Sequence, residues 1–146
     1  MAQAYPKHDE DFYAWTQSNA SLLKQRKFEE IDVDHLIEEL EEMGNSNENQ
    51  LISRLGVLIA HLLKWQLQPD FRCRSWSGTI REQRIRIKRL LRKNPSLKIL
   101  MASSVKESFE DALAILEKET PLDLKALPAT CPYTLEQLQD DAYYPA

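Results

Sequence analysis

Three histidines, two cysteines and one dense run of arginine and lysine are the residues of this chain best equipped for chemistry. His35 precedes Glu38 and Glu39 by three and four positions, so a helix would place imidazole and carboxylate on one face. Di-iron helical bundles use Glu-x-x-His from two helices in that way. Here the order is reversed, occurs once and lies within a run of acids, so the segment reads as a solvated acidic face. No metal and no cofactor is expected. His8 belongs to an N-terminal stretch expected to fray. His61 lies on a helix flank with Arg54, Trp65 and Gln68, which leaves two readings open. One is an imidazole satisfied by a hydrogen bond at a bundle edge. The other is a ligand-contacting or proton-transfer group in a pocket near His61, Trp65, Trp76 and Arg84. Cys73 and Cys131 lack C-x-x-C spacing and read as reduced packing residues. No catalytic residue is assigned.

The basic run spans residues 72–93, where nine of 22 positions are Arg or Lys and one is acidic. Arg81, Arg84, Lys88 and Arg92 fall along one flank of a helix there, a spacing that could dock a partner or hold phosphates. The run sits between acidic neighbours: residues 9–49 carry a balance of −9, residues 54–98 one of +10, and the whole chain −4. A basic helix flanked by acidic ones in a bundle accounts for this pattern, and an anionic partner is the other explanation. Glycine-rich phosphate loops, G-x-S-x-G, H-E-x-x-H and EF-hand loops are absent from the sequence.

The elements that must position these residues are helical. Only three of 146 residues are glycine, and the plentiful Leu, Glu, Lys and Arg lose little rotamer freedom in a helix. A first helix is expected from Asp9 or Asp11 to Lys27, with Phe12, Trp15 and Leu22 inward and Leu23 alongside. A second, capped by Asp32 or Asp34, carries Leu36, Leu40, Met43, Leu51, Leu55, Leu58, Leu62 and Trp65 in steps of three and four. That stripe reads as one long helix to about Gln66, straight or kinked at Gly44, or as two helices broken there. A third runs from Ser75 or Ser77 to Lys93, with Trp76, Ile80, Ile87 and Leu91 inward. Ser96 caps a fourth that reaches Glu119, and Thr134-x-x-Gln137 is a capping box opening a short last one. The expectation is an all-α, antiparallel bundle of about four main helices plus a short C-terminal helix, in one domain over 1–146. No apolar run approaches the ~20 residues needed to cross a bilayer, and no signal core opens the chain. A cytoplasmic location is expected.

Several segments resemble a bacterial family called domain of unknown function twenty-nine. They are Asp11-Phe-Tyr-Ala-Trp15, Arg54-Leu-Gly-Val-Leu-Ile-Ala-His-Leu-Leu-Lys-Trp65 with Gln66 and Pro69, and Arg74-Ser-Trp76 with Ile80-Arg-Glu-Gln-Arg84. Asn94-Pro-Ser-Leu97 and Cys131-Pro-Tyr-Thr-Leu-Glu-Gln-Leu138 extend the resemblance, which runs from about Tyr5 to Tyr144. It implies a compact helical domain and brings no activity, cofactor, partner or site residue. The function expected is a non-enzymatic protein-interaction module with Arg81, Arg84, Lys88 and Arg92 as its docking surface. An enzyme or small-ligand binder around His61 comes second, and nucleic-acid binding through the basic third helix comes last.

Overall fold

A computed structural model describes residues 4–146. Its elements are α1 (Phe12–Lys24), α2 (Val33–Leu67), α3 (Arg74–Lys93), α4 (Met101–Glu119) and α5 (Leu135–Gln139), joined by 3-10 turns at Pro69–Phe71, Pro95–Leu100 and Leu124–Ala126. The described residues contain no strand, and the fold is all-α. No helix among them is long and apolar enough to cross a membrane. The chain divides into two compact units, residues 1–44 and 45–146.

In the first unit Asp11 caps α1, its carboxylate accepting from the Ala14 N–H at 3.1 Å. The helix ends at Lys24, short of the expected Lys27, for a reason visible in the backbone. Arg26 adopts φ 57°, and the Arg26 and Lys27 N–H groups donate to the Leu23 and Leu22 carbonyls. That pair of bonds is a Schellman closure, which requires one residue in the left-handed region. Trp15, Asn19 and Leu22 are buried, whereas Phe12 and Leu23 stand in solvent.

Helix α2 is continuous through Gly44, but its apolar stripe is not buried throughout. Leu40 and Met43 are 65 % and 64 % exposed, while Leu51, Leu55, Leu58 and Leu62 are sealed from solvent. The expected stripe therefore holds only from Leu51 onward. Three-and-four spacing states which residues share a face, and it is silent on whether that face finds a partner.

The second unit is an up-down-up bundle of the α2 residues after Gly44, α3 and α4. The Ser108 hydroxyl donates to the Ile52 carbonyl at 2.9 Å, and Lys64 pairs with Glu119. Sequence positions thus rise together, and α2 and α4 run parallel. Between them α3 runs the other way, with Lys64 over the Trp76 ring at 5.8 Å near its start. Gly56 makes the close α2–α4 approach possible: a Cβ there would lie 3.1 Å from the Asp111 Cβ and 3.3 Å from the Ser108 carbonyl oxygen. Helix α3 begins at Arg74 rather than at a serine cap, with Cys73 preceding it and offering no side-chain hydrogen bond. Pro95, lacking an N–H, cannot extend α3, and the residues from Pro95 to Leu100 form a 3-10 turn before α4. The core joins Leu51 through Leu63 of α2 to Ile80, Ile87 and Leu91 of α3, Phe109 and Leu116 of α4, and Tyr133 and Leu138 of the tail. Each fully buried leucine contributes about 1.5–3 kcal/mol, so the C-terminal tail is held as part of this core. Thr134 and Gln137 form the expected capping box at the start of α5.

Candidate functional site

Arg84 corrects the expected docking surface. It is 1 % exposed, since Ile80, Arg84, Ile87 and Leu91 follow one another on the inward stripe of α3. Its Nε donates to the Leu138 carbonyl and its Nη2 to the Gln137 carbonyl, each at 3.0 Å, and Tyr144 covers the guanidinium at 5.7 Å. The carbonyls at the end of a helix lack intrahelical partners, and Arg84 supplies donors to two of them. Burial pulls the Arg84 pKa down, partly offset by Tyr144 and Asp141. It is a tether for the tail. Arg81 and Arg92 are exposed, and Lys88 pairs with Asp141 at 2.8 Å, which spends one of the remaining charges of that stripe.

The second expected grouping is only partly assembled. His61 is half-buried and donates Nδ1–H to the Val57 carbonyl at 2.8 Å. Burial lowers its pKa and so favours the neutral ring, partly offset by the bond to Val57. Trp65 and Arg84 meet through Tyr144, whose ring lies 5.0 Å from that of Trp65. Trp76 instead faces Lys64. The Arg72 guanidinium covers Trp65 at 5.0 Å and donates to its carbonyl at 2.7 Å. Neither cavity described next is lined by any of the four residues.

The geometry that does converge lies on the other flank of α3. Asn47, Gln50 and Arg54 of α2 face Arg86, Arg89 and Lys93 of α3 across a groove of about 520 Å³, with Leu90 as its floor and Asn94 at one end. Each helix contributes residues at i, i+3 and i+7, the spacing of one face over two turns. Because the helices are antiparallel, the two rows oppose each other along the groove. Four cations and three carboxamides line it, and no carboxylate does. Arg86 also contacts Glu82 at 2.9 Å on the outer side. Arg54, Arg89 and Lys93 have no carboxylate within ion-pair distance among the described residues. Arg54 stood out in the sequence only as a flank residue beside His61. Arg86, Arg89 and Lys93 were submerged in a run where nine of 22 residues are basic, and only the facing row of α2 distinguishes them.

In the first unit His8, expected to fray, is packed in place, while His35 stays partly exposed, its side chain 37 % accessible, on a face where Glu38, Glu41 and Glu42 are exposed as expected. The His8 side chain is 12 % exposed. Its ring stacks on His35 at 4.3 Å and 11°, with Trp15 edge-on at 4.8 Å. His8 Nε2 meets Glu39 at 2.6 Å and Nδ1 meets Asp9 at 2.7 Å. These carboxylates, Glu39 first, raise the His8 pKa. His35 Nδ1 meets Asp32 at 2.7 Å, and the Trp15 indole N–H donates to the same Asp32 oxygen at 2.9 Å. The Trp15 bond, then the His35 bond, holds the Asp32 carboxyl below its ordinary pKa. Asn19 fixes the arrangement by donating to the Trp15 carbonyl and accepting from the Asp32 N–H. A cavity of about 450 Å³ opens beside this cluster. No spacing rule could have paired His8 with His35, since they lie 27 positions apart and the intervening hairpin brings them together.

An all-helical chain with a basic groove in one unit and a histidine–carboxylate cluster in the other is what these residues build. The chain belongs to the family Domain of unknown function DUF29, whose model matches residues 8–144. No curated protein and no solved structure matches it.

Proposed function

We propose that the protein is a non-enzymatic binding module whose α2–α3 groove takes a small phosphorylated ligand. The observation that carries this reading is the opposition of Asn47, Gln50 and Arg54 to Arg86, Arg89 and Lys93 around a carboxylate-free cavity. One exposed ion pair contributes only about 0–1 kcal/mol, so a single carboxylate would be held poorly. A multivalent oxyanion engages three or four cations together, and arginine forks match its geometry. The volume lies within the roughly 300–1,000 Å³ typical of small-ligand sites. A nucleic-acid track fits less well, because it calls for about 6–10 phosphate contacts along a continuous surface, whereas these rows span only two helical turns each. A bacterial cytoplasmic setting accords with the family resemblance and with the two unpaired thiols.

Calorimetry with inorganic pyrophosphate and with a single-stranded oligonucleotide tests this reading. Saturable 1:1 pyrophosphate binding, weakened tenfold or more by Arg89→Glu and by raised salt, is expected. Oligonucleotide binding without pyrophosphate binding would replace this reading with the nucleic-acid one, and no binding of either would end both.

A second reading keeps a protein partner, but moves it from the α3 stripe to α2. Val33, Ile37 and Leu40 are exposed at i, i+4 and i+7, with Glu38, Glu41 and Glu42 around them. That face suits a basic amphipathic helix. Leu40→Glu should abolish binding of a synthetic Lys/Leu amphipathic peptide if the surface is used.

A further inference from the structure

We infer that the His8–His35 cluster is a binding site for a divalent transition-metal ion of the zinc type, with His8, His35 and Asp9 as ligands and Glu39 in reserve. One ligand atom from each of His8, Asp9 and His35 lies within 4.8 Å of the others. Bonds of about 2.0–2.2 Å in a tetrahedral site put ligand atoms some 3.5 Å apart, so closure asks for side-chain rotation and not for backbone rearrangement.

The chemistry of each donor favours the site. His35 donates Nδ1–H to Asp32, which fixes its tautomer and leaves the Nε2 lone pair as the only one it can offer. Metal-ligating histidines are commonly oriented by a carboxylate in this way. Asp32 is in turn anchored by the Trp15 indole and, through its backbone, by Asn19. His8 contacts a carboxylate through each ring nitrogen, Asp9 through Nδ1 and Glu39 through Nε2. Two carboxylates therefore converge on this ring, and an ion with two positive charges placed among them would neutralise both. Two imidazoles with one or two carboxylates select borderline ions such as Zn²⁺ or Co²⁺, while Mg²⁺ and Ca²⁺ prefer all-oxygen sets.

The stacked rings add one requirement. Their lone pairs lie in nearly parallel planes and cannot meet at one ion, so the His8 ring must turn. His8 precedes α1, whereas His35 is fixed within α2, which makes His8 the ligand that moves. The adjoining cavity supplies the room.

Co²⁺ titration of the whole protein tests the inference. Stoichiometric binding should bring d–d absorption bands, and NMR should show the His8 and His35 ring signals broadened by the paramagnetic ion while His61 stays sharp. This readout needs no variant. His35→Ala and Asp9→Asn should each weaken binding tenfold or more, with circular dichroism confirming helicity, and Arg89→Glu should leave it unchanged. Broadening of His61 alone, absence of any 1:1 binding, or an affinity indifferent to His35→Ala would overturn the assignment.

Discussion

The guanidinium of Arg84 donates through Nε to the backbone carbonyl of Leu138, 54 positions later, at 3.0 Å. With the second bond to Gln137, it ties the tail to α3 without any carboxylate in direct contact. Hydrogen bonds from a charged donor contribute about 1.5–3 kcal/mol each, and removing this donor strands two acceptors. Arg84→Ala should therefore destabilise the protein by roughly 2–4 kcal/mol in urea unfolding and open residues 128–146 to proteolysis. Arg84→Lys should restore less than half of the loss, because an ammonium cannot reproduce the fork. An unchanged midpoint for Arg84→Ala would refute the tether.

Two helical glycines should respond in opposite directions. At Gly44 an added methyl meets nothing within 4 Å, so Gly44→Ala should stabilise by up to about 1 kcal/mol through helix propensity. At Gly56 the same methyl meets the Asp111 Cβ and the Ser108 carbonyl oxygen, neither of which can swing aside. Gly56→Ala should lose about 1–2 kcal/mol despite its better propensity. Thermal melts of both variants check the contrast.

Arg26 occupies the left-handed position of the α1 closure with φ 57°. A Cβ in that region costs roughly 1–2 kcal/mol. Arg26→Gly should raise stability by about 1 kcal/mol, measured by urea unfolding, whereas Arg26→Val should lower it.

Glu119 is held below its ordinary carboxylate range, first by its hydrogen bond from Lys64. A depressed folded pKa means stability that is present above the unfolded value of about 4.5 and lost as pH falls through the folded value. Glu119→Gln should thus destabilise at pH 7, leaving the buried Lys64 unpaired, and the gap from wild type should close below pH 4.5. Urea unfolding at a series of pH values reads this directly. A gap that is constant with pH would show that the pair contributes nothing through charge.

The helices were legible because three-and-four spacing reports on shared faces, and the Thr134 capping box because its bonds are local. Burial was less legible. Leu40 and Met43 carry the same periodic signal as Leu55 and Leu58, and only the tertiary arrangement separates them. Arg84 had a signal that charge obscured: it completes the Ile80, Ile87, Leu91 row, and that position should have outweighed its side-chain type. The groove rests on two helices facing each other in one register, and the His8–His35 stack rests on a hairpin. Neither relationship is written in any single segment.

The groove reading is most directly tested by following the arginine Nε–H signals in NMR during titration with inorganic pyrophosphate. Arg54, Arg86 and Arg89 should shift together and saturate, while Arg81 and Arg92 stay in place. Uniform small shifts of all the exposed arginines, or a response confined to Arg81 and Arg92, would contradict it.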